Sequence, residues 1–291
     1  INESKNVVLM MSVKSDKDVI LPTTTPIIQK GEVLPWLYEY NGIVPPLTQL
    51  IVGAKGLGVN VTSPEPDAVV RKMPVLIRVG EKIYPSMLLE NIRLVNRSKR
   101  IKVIAKQHGI DEILVSKKAG IPVNHNAEMY INYADPEKYT QLSVEQVFST
   151  EHADKIKGRI VILGMDAAGL SVLKYTPHGL TTDQMITAQA LDTTMTGDYL
   201  YRIPKADTYE IVFMGLLGLL LIILIPRVSV LFSVPLLLFV LGGISYASFS
   251  AYANKGFLVD PSFAILYIFL IWSHSTYNNF ATQSRLRQQI K

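Results

Sequence analysis

The 291-residue sequence contains no cysteine and few of the side-chain patterns that form catalytic or metal centres. The absence of cysteine excludes disulfides, cysteine-ligated zinc, iron–sulfur clusters and thiol nucleophiles. The five histidines are scattered, and no two have the spacing of a metal-ligand pair on one helix face. No serine lies in a nucleophile elbow, and the spacing of the carboxylates indicates no acid–base pair. We therefore expect no catalytic residue, no metal and no cofactor within these residues, and an extracytoplasmic hydrolase is disfavoured.

Charge is scarce in the last quarter of the sequence. Residues 209–291 hold only five of the 29 Lys and Arg, and only two of the 24 Asp and Glu. Such a composition is typical of a membrane region and argues against a freely soluble protein. The net charge of +5 is divided between the two parts of the chain, so neither part attracts polyanions strongly. We expect no nucleic-acid partner.

Three apolar runs fill this uncharged region and predict three transmembrane helices over residues 207–280. Ile211–Ile225 reaches spanning length with the residues that precede it, whereas Val228–Ala253 and Phe257–Phe280 are long enough by themselves. The connections between the runs are only a few residues long, so the spans are expected to form a tight antiparallel set. The alternative is three buried core helices of a soluble protein.

The distribution of positive charge orients these spans. The second loop holds only Lys255, whereas the first loop and the tail together hold four cations. These are Arg227, Arg285, Arg287 and Lys291. The distribution predicts a cytoplasmic C-terminus and places residues 1–206 outside the cytoplasm. Residues 281–291 favour helix formation and are expected to begin a cytoplasmic linker helix.

The second span carries small residues at four-residue spacing, namely Gly243, Ala247 and Ala251. Small side chains on one helix face permit close contact with another membrane helix, so this stripe predicts helix packing. The alternative is that bilayer helices are simply rich in small residues.

Strand and helix signals alternate over residues 1–206 and predict a single α/β domain with a mixed sheet. Short apolar runs predict five strands: Asn6–Met11, Gly56–Val61, Met73–Val79, Met129–Tyr133 and Arg159–Leu163. Helical signals predict four helices: Pro45–Ala54, Pro85–Arg93, Ser143–Phe148 and Thr182–Met195. Ser143 and Thr182 are the expected N-caps of the last two helices.

The loop Gly164–Ser171 follows the last predicted strand and superficially resembles a phosphate-binding loop. Leu170 stands where that motif requires Lys, which excludes nucleotide binding of that kind. Backbone amides of the loop are candidates for holding a small anion, and the alternative is a plain glycine-rich connection. His178 lies between Pro177 and Gly179, and we interpret it as a turn residue rather than a general base.

Several blocks of the sequence, taken in order, resemble the type-2 CHASE sensor domain. The blocks are Gly56–Val61, Pro66–Pro74, Ile83–Glu90, Met129–Tyr133, Lys157–Gly164, Ala167–Leu170, Thr176-Pro177 and Ile186–Asp192. The resemblance covers roughly residues 45–291. It rests on the order of the blocks and on the three spans that follow them directly.

This resemblance implies an extracytoplasmic ligand-sensing α/β domain of a bacterial receptor, held in the inner membrane as a multi-pass protein. In this family the spans lead to a cytoplasmic output, commonly a class III adenylate cyclase, otherwise a histidine or Ser/Thr kinase. We therefore expect a homodimeric sensor and membrane module that controls a cyclase making cyclic AMP from ATP. ATP and Mg²⁺ are expected only for that cyclase domain. The alternatives are a receptor histidine kinase and a non-enzymatic membrane-anchored scaffold subunit.

The family offers no set of ligand-binding residues that can be transferred to this sequence. As pocket candidates for an unknown extracytoplasmic ligand or protein, we name Asp166, Ala168, Gly169, His178 and Gln189. Thr187 stands where the family usually has His, so the resemblance assigns no binding role to that position. The family usually has first strands and a membrane helix before these blocks, so we expect the N-terminal part of the sensor to be missing from this sequence.

Overall fold

The structure, a computed structural model, describes residues 6–14, 25–63, 65–116, 120–167, 169, 171–202 and 206–289. The chain divides into two compact units, Ile1–Tyr199 and Leu200–Lys291. The described part of the first unit contains strands and short helices, whereas that of the second unit contains three long helices and their connections.

The first unit contains thirteen described strands and five described α-helices. The strands are β1 (Val8–Lys14), β2 (Ile27–Lys30), β3 (Gly42–Val44), β4 (Gly56–Val59), β5 (Lys72–Pro74), β6 (Leu76–Val79), β7 (Lys82–Pro85), β8 (Ile101–Lys106), β9 (Gly109–Leu114), β10 (Gly120–Ile121), β11 (Glu128–Tyr130), β12 (Leu173–Thr176) and β13 (Gly179–Thr182). The helices are α1 (Thr48–Ile51), α2 (Met87–Val95), α3 (Val144–Phe148), α4 (Ala153–Ile156) and α5 (Asp183–Thr196).

The strands form several small sheets. β1 lies between antiparallel β3 and parallel β4, and β8 lies between parallel β2 and antiparallel β9. β10 continues the second sheet beyond β9. Three antiparallel pairs complete the unit, namely β5–β11, β6–β7 and β12–β13. The combination of parallel and antiparallel pairs with helices confirms the predicted mixed α/β architecture.

Alternating side chains direct the apolar faces of the sheets into two cores. In β8, Ile101 and Val103 are buried while Lys102 and Lys106 are exposed, as the two-residue period of a strand requires. One core lies between the β8 sheet and the helices α2 and α5, and the other lies among β1, β4 and the β6–β7 hairpin. α2 and α5 therefore pack on the β8 sheet through buried apolar side chains.

The predicted N-caps are confirmed. Ser143 forms a capping box with Gln146 at the start of α3. The Thr182 side chain accepts a hydrogen bond from the backbone N–H of Met185 at 3.5 Å and begins α5. The same helix ends at Gly197, whose φ of 79° is a left-handed conformation that favours glycine.

Two strand predictions require correction. The predicted strand Arg159–Leu163 is irregular, and its side chains Ile160 and Leu163 are 42% and 86% exposed. An apolar run forms a strand only where a neighbouring strand satisfies its backbone, and none of the described strands pairs with this run. The predicted strand Met73–Val79 is divided into β5 and β6, because Val75 is hydrogen-bonded to residues outside both strands.

The second unit contains α6 (Ala206–Leu224), α7 (Val230–Lys255) and α8 (Ser262–Gln289). In the described part of the chain, two helical stretches are long and apolar enough to cross a membrane: Ala206–Arg227, with mean hydropathy 2.4, and Leu231–Lys255, with 1.8. The predicted third span is one unbroken helix, α8, but it falls outside this group because polar residues follow Trp272. Two of the three predicted spans are therefore clear candidates by length and hydropathy, and the third stays a prediction.

Close packing between α6 and α8 depends on Gly218. A Cβ atom at this position would lie 2.6 Å from Cε1 of Tyr267 and 2.8 Å from Cδ1 of Ile271. Carbon atoms normally approach to about 3.5–4.0 Å, so the side chains of Tyr267 and Ile271 occupy space that is free only because residue 218 has no Cβ atom. The core of the unit beside this contact is formed by Leu221, Ile225, Leu237 and Ile268.

Candidate functional site

The predicted anion loop lies on the surface of the first unit. Asp166 and Gly169 are both exposed, and Gly169 has a left-handed φ of 82°. Ala168 lies outside the described residues. The side-chain amide of Gln184 donates a hydrogen bond of 2.6 Å to the backbone oxygen of Met165, so the loop is joined to α5 near the start of that helix.

The other two pocket candidates lie on different elements. His178 is an exposed residue of the β12–β13 turn, and its ring centroid is 6.3 Å from that of Tyr133. Gln189 is buried in α5, where its Oε1 accepts a hydrogen bond of 3.0 Å from the backbone N–H of Ala134. No hydrogen bond or ring contact joins the described candidates to one another. Their role in ligand binding stays a prediction.

A polar cluster lies at the start of α5, and we call it the α5 cluster. It consists of Asn60, Thr62, Lys174, Asp183 and Thr187. Nζ of Lys174 is 2.7 Å from Oδ1 of Asp183 and donates to Oγ1 of Thr62 at 3.1 Å. The hydroxyl of Thr187 donates to the backbone oxygen of Asp183 at 2.9 Å and lies 3.5 Å from Oδ1 of Asn60. The cluster therefore joins the first-unit strands to α5.

The charges of the α5 cluster compensate one another. The side chains of Lys174 and Asp183 are 25% and 30% exposed, so solvent reaches the ion pair and it contributes little to stability. An ammonium has three donor positions, and a ligand oxygen can replace the carboxylate on one of them. The arrangement thus suits exchange of the internal partner for a small polar or anionic ligand. Sequence patterns missed this pair, because the register of the β12–β13 strands that brings Lys174 next to Asp183 is not visible in the sequence.

Polar side chains bind the rest of α5 to residues 132–139. The hydroxyl of Tyr139 donates to Oδ2 of Asp192 at 3.0 Å, and Oγ1 of Thr193 accepts from the backbone N–H of Asn132 at 3.1 Å. Burial and the neighbouring carboxylate of Asp192 raise the pKa of Tyr139, so its hydroxyl stays protonated and donating. A displacement of α5 would therefore break several hydrogen bonds at once.

An ion-pair network lies at the start of α6 in the second unit. Nη2 of Arg202 is 2.6 Å from Oδ1 of Asp207 and 2.9 Å from Oε2 of Glu210. The other oxygen of Glu210 accepts a hydrogen bond of 3.3 Å from the backbone N–H of Asp260, in the connection before α8. Hydrogen bonds from Ser262, with the charge of Arg202, lower the pKa of Asp260. The network connects α6 to the start of α8.

The predicted small-residue stripe faces a cavity in the described part of the second unit. The cavity of about 770 Å³ lies among α6, α7 and α8, and Gly243 and Ala247 are among its mainly apolar lining residues. A Cβ atom at Gly243 would meet no described heavy atom within 4 Å, and Ala251 is half-buried further along α7. The packing role of the stripe stays a prediction, whereas Gly218 makes the close helix contact within this unit.

Comparison with protein families identifies the class of the chain. A family model of the CHASE2 domain matches residues 2–224, which cover the first unit and continue through the end of α6. The chain belongs to the CHASE2 family, whose members are extracellular sensor domains of signalling receptors. No curated protein and no solved structure gave a match.

Proposed function

We propose that the chain is the sensor and transmembrane signalling module of a bacterial membrane receptor that controls a cytoplasmic class III adenylate cyclase. The observation that carries the proposal is the CHASE2 match, which runs from the α/β unit into the first apolar helix. Sensing and membrane attachment therefore lie in one continuous family unit. ATP and Mg²⁺ are bound by the cyclase, which makes cyclic AMP, and not by these residues.

In this proposal α6, α7 and α8 all cross the inner membrane, and the α/β unit lies outside the cytoplasm. α6 and α7 have the required length and hydropathy. α8 has 28 residues and a length of about 42 Å, which exceeds the roughly 30 Å of the hydrocarbon core. Arg227 and Arg285 then lie on the cytoplasmic side and Lys255 lies on the outer side, as the positive-inside rule favours.

The signal enters at α5 in this proposal. Ligand binding at the α5 cluster replaces the contact between Lys174 and Asp183. In this proposal α5 has two alternative packings, each held by hydrogen bonds along the helix, and the ligand shifts the balance between them. The chain continues from the end of α5 at Thr196 to the start of α6 at Ala206. α8 then passes the change to the cytoplasmic side as a shift in the spacing or rotation of a homodimer.

Cross-linking across α8 tests this mechanism. The full chain with one introduced cysteine, Arg285→Cys, is cross-linked in membranes with and without inorganic phosphate, the probe for an anion at the α5 cluster. Phosphate is expected to change the cross-linking rate of the parent chain and to leave the Lys174→Met variant unchanged. A monomeric chain, or a rate that phosphate does not alter, would contradict this mechanism and its anionic ligand.

The nature of the output is tested by the gene sequence around the codons for residues 1–291. A class III cyclase sequence after a short linker supports the proposal. A helix with a phosphoacceptor histidine would instead identify a receptor histidine kinase, and a stop codon directly after Lys291 would identify a membrane-anchored scaffold subunit.

A further inference from the structure

α8 changes its chemical character halfway along its length. Its first half is apolar, with Phe263, Leu266 and Leu270 exposed on the outer surface of the second unit. From Ser273 onward the exposed side chains include His274 and Asn278, although the helix continues without interruption to Gln289. The exposed surface of α8 is therefore apolar in its first half and carries amide and imidazole groups in its second half.

The polar groups lie on the side of α8 that faces away from the core of its own unit. Ile268 is fully buried on the inner side, and Nε1 of Trp272 donates a hydrogen bond of 3.1 Å to the backbone oxygen of Ser233. Another side of the helix carries His274, Asn278, Ala281 and Arg285, which we call the α8 seam. His274, Asn278 and Arg285 are exposed, and Ala281 is half-buried.

The spacing of the α8 seam is that of a helix-pairing surface. Steps of four, three and four residues keep the seam on one narrow side of the helix, as in a coiled coil. Nδ2 of Asn278 lies 2.9 Å from Nε2 of His274. An amide has two donor positions and an acceptor oxygen, so this contact leaves hydrogen-bonding capacity at Asn278 directed away from its own unit.

At the depth of the seam, an Asn278 amide without hydrogen-bond partners would be energetically unfavourable. If α8 crosses the membrane from Ser262, as the proposed function requires, His274 lies about 18 Å and Asn278 about 24 Å along the helix axis. Both then lie within the roughly 30 Å of hydrocarbon, where lipid offers no hydrogen-bond partner. Arg285 lies about 35 Å along the axis, beyond the hydrocarbon, and its charge stays in water.

We infer that the α8 seam pairs with the same seam of a second copy of this chain. Copies inserted in one orientation carry Asn278 at the same depth, and a parallel two-fold pair brings the two amides face to face. Each amide then presents its partially positive N–H to the partially negative oxygen of the other, so the seam is electrostatically complementary to itself. Ala281, one turn further along, lets the backbones approach. This inference rests on the proposed function, because it requires α8 to span the membrane.

Energy transfer between labelled copies of the full chain in phosphatidylcholine vesicles tests the pairing. Asn278→Leu is expected to weaken association about three- to thirtyfold, the range for an interhelical hydrogen bond in a membrane. Asn278→Gln is expected to retain association. Ser273→Leu is the matched control, because Ser273 is exposed on the same helix about 100° away from His274 around the axis. Association that Asn278→Leu leaves unchanged would overturn the inference.

Oxidative cross-linking gives a second readout that does not depend on losing the amide. The chain has no cysteine, so each introduced cysteine is unique. Ala281→Cys is expected to form a disulfide-linked dimer, and Ser273→Cys is expected to remain monomeric; equal cross-linking at both would contradict the seam. If cysteines at positions 255 and 285 are labelled from opposite sides of the membrane but Asn278→Leu does not change association, the seam is refuted and the proposed topology stands. Labelling of both from one side would refute the proposed topology.

Discussion

Replacement of Gly218 by Leu tests the packing of the helical unit most sharply. A Cβ atom there would lie 2.6 Å from a ring carbon of Tyr267 and 2.8 Å from the terminal methyl of Ile271. These distances are about 1 Å shorter than a normal carbon–carbon contact, so α6 and α8 must separate or the two side chains must leave their rotamers. Overpacking of this kind costs about 1–3 kcal/mol of unfolding free energy.

Gly215→Leu provides the control for this experiment. Gly215 lies one turn earlier in α6, and a Cβ atom there would have no described heavy atom within 4 Å. Leu at this position is expected not to lower the unfolding free energy, because it meets no neighbour and a glycine inside a helix costs about 0.5–1 kcal/mol relative to Ala. Chemical unfolding of the detergent-solubilised full chain measures both variants. Equal effects of the two substitutions would refute the close α6–α8 contact.

Three further predictions concern the first unit, and unfolding or titration of the full chain in detergent checks them. Glu90→Ala is expected to destabilise the fold by about 3–5 kcal/mol, because Arg93 would stay buried without the carboxylate 2.7 Å away; a loss below about 1 kcal/mol would contradict this. Hydrogen bonds from Arg71 lower the pKa of Asp67 to about 2, so this pair stabilises the fold above the unfolded-state pKa of about 4 and loses its contribution as the pH falls through about 2. NMR titration should find that low midpoint and a higher one in Arg71→Gln; similar midpoints would refute the assignment. Thr187→Val keeps the size of this buried side chain and removes its hydroxyl, so it should cost about 0.5–1.5 kcal/mol of unfolding free energy; an unchanged unfolding free energy would contradict a role for this hydrogen bond.

Local signals in the sequence predicted the elements that local chemistry determines. The caps Ser143 and Thr182 begin helices as expected, and the order of strands and helices identified the α/β class. These features depend on residues within one turn or one strand of each other. They are therefore visible in the sequence without knowledge of the tertiary contacts.

Features that depend on distant partners were not predictable in this way. The run Arg159–Leu163 has the composition of a buried strand, but it has no pairing strand among the described residues and stays exposed. By contrast, β8 was not predicted, because its lysines interrupt the apolar run, although one face of the strand is buried. The contact between Lys174 and Asp183 depends on the register of the β12–β13 pair, in which Leu173 lies opposite Thr182, and this register places Lys174 beside the start of α5.

The membrane region shows the same limit. Hydropathy identified α6 and α7, because crossing lipid demands apolar residues along the whole helix. α8 combines an apolar first half with the seam of His274 and Asn278, so its composition alone does not define a span. Partners outside a helix can satisfy such polar groups, and hydropathy does not record them.

Labelling of single cysteines from one side of the membrane tests the central claim most directly. Because the chain has no cysteine, Arg227→Cys, Lys255→Cys and Arg285→Cys each provide one unique site. Intact cells are treated with a membrane-impermeant maleimide before and after permeabilisation. We predict that Lys255→Cys is labelled in intact cells, and that the other two sites react only after permeabilisation. Labelling of Lys255→Cys and Arg285→Cys from the same side would contradict a sensor that signals through α8.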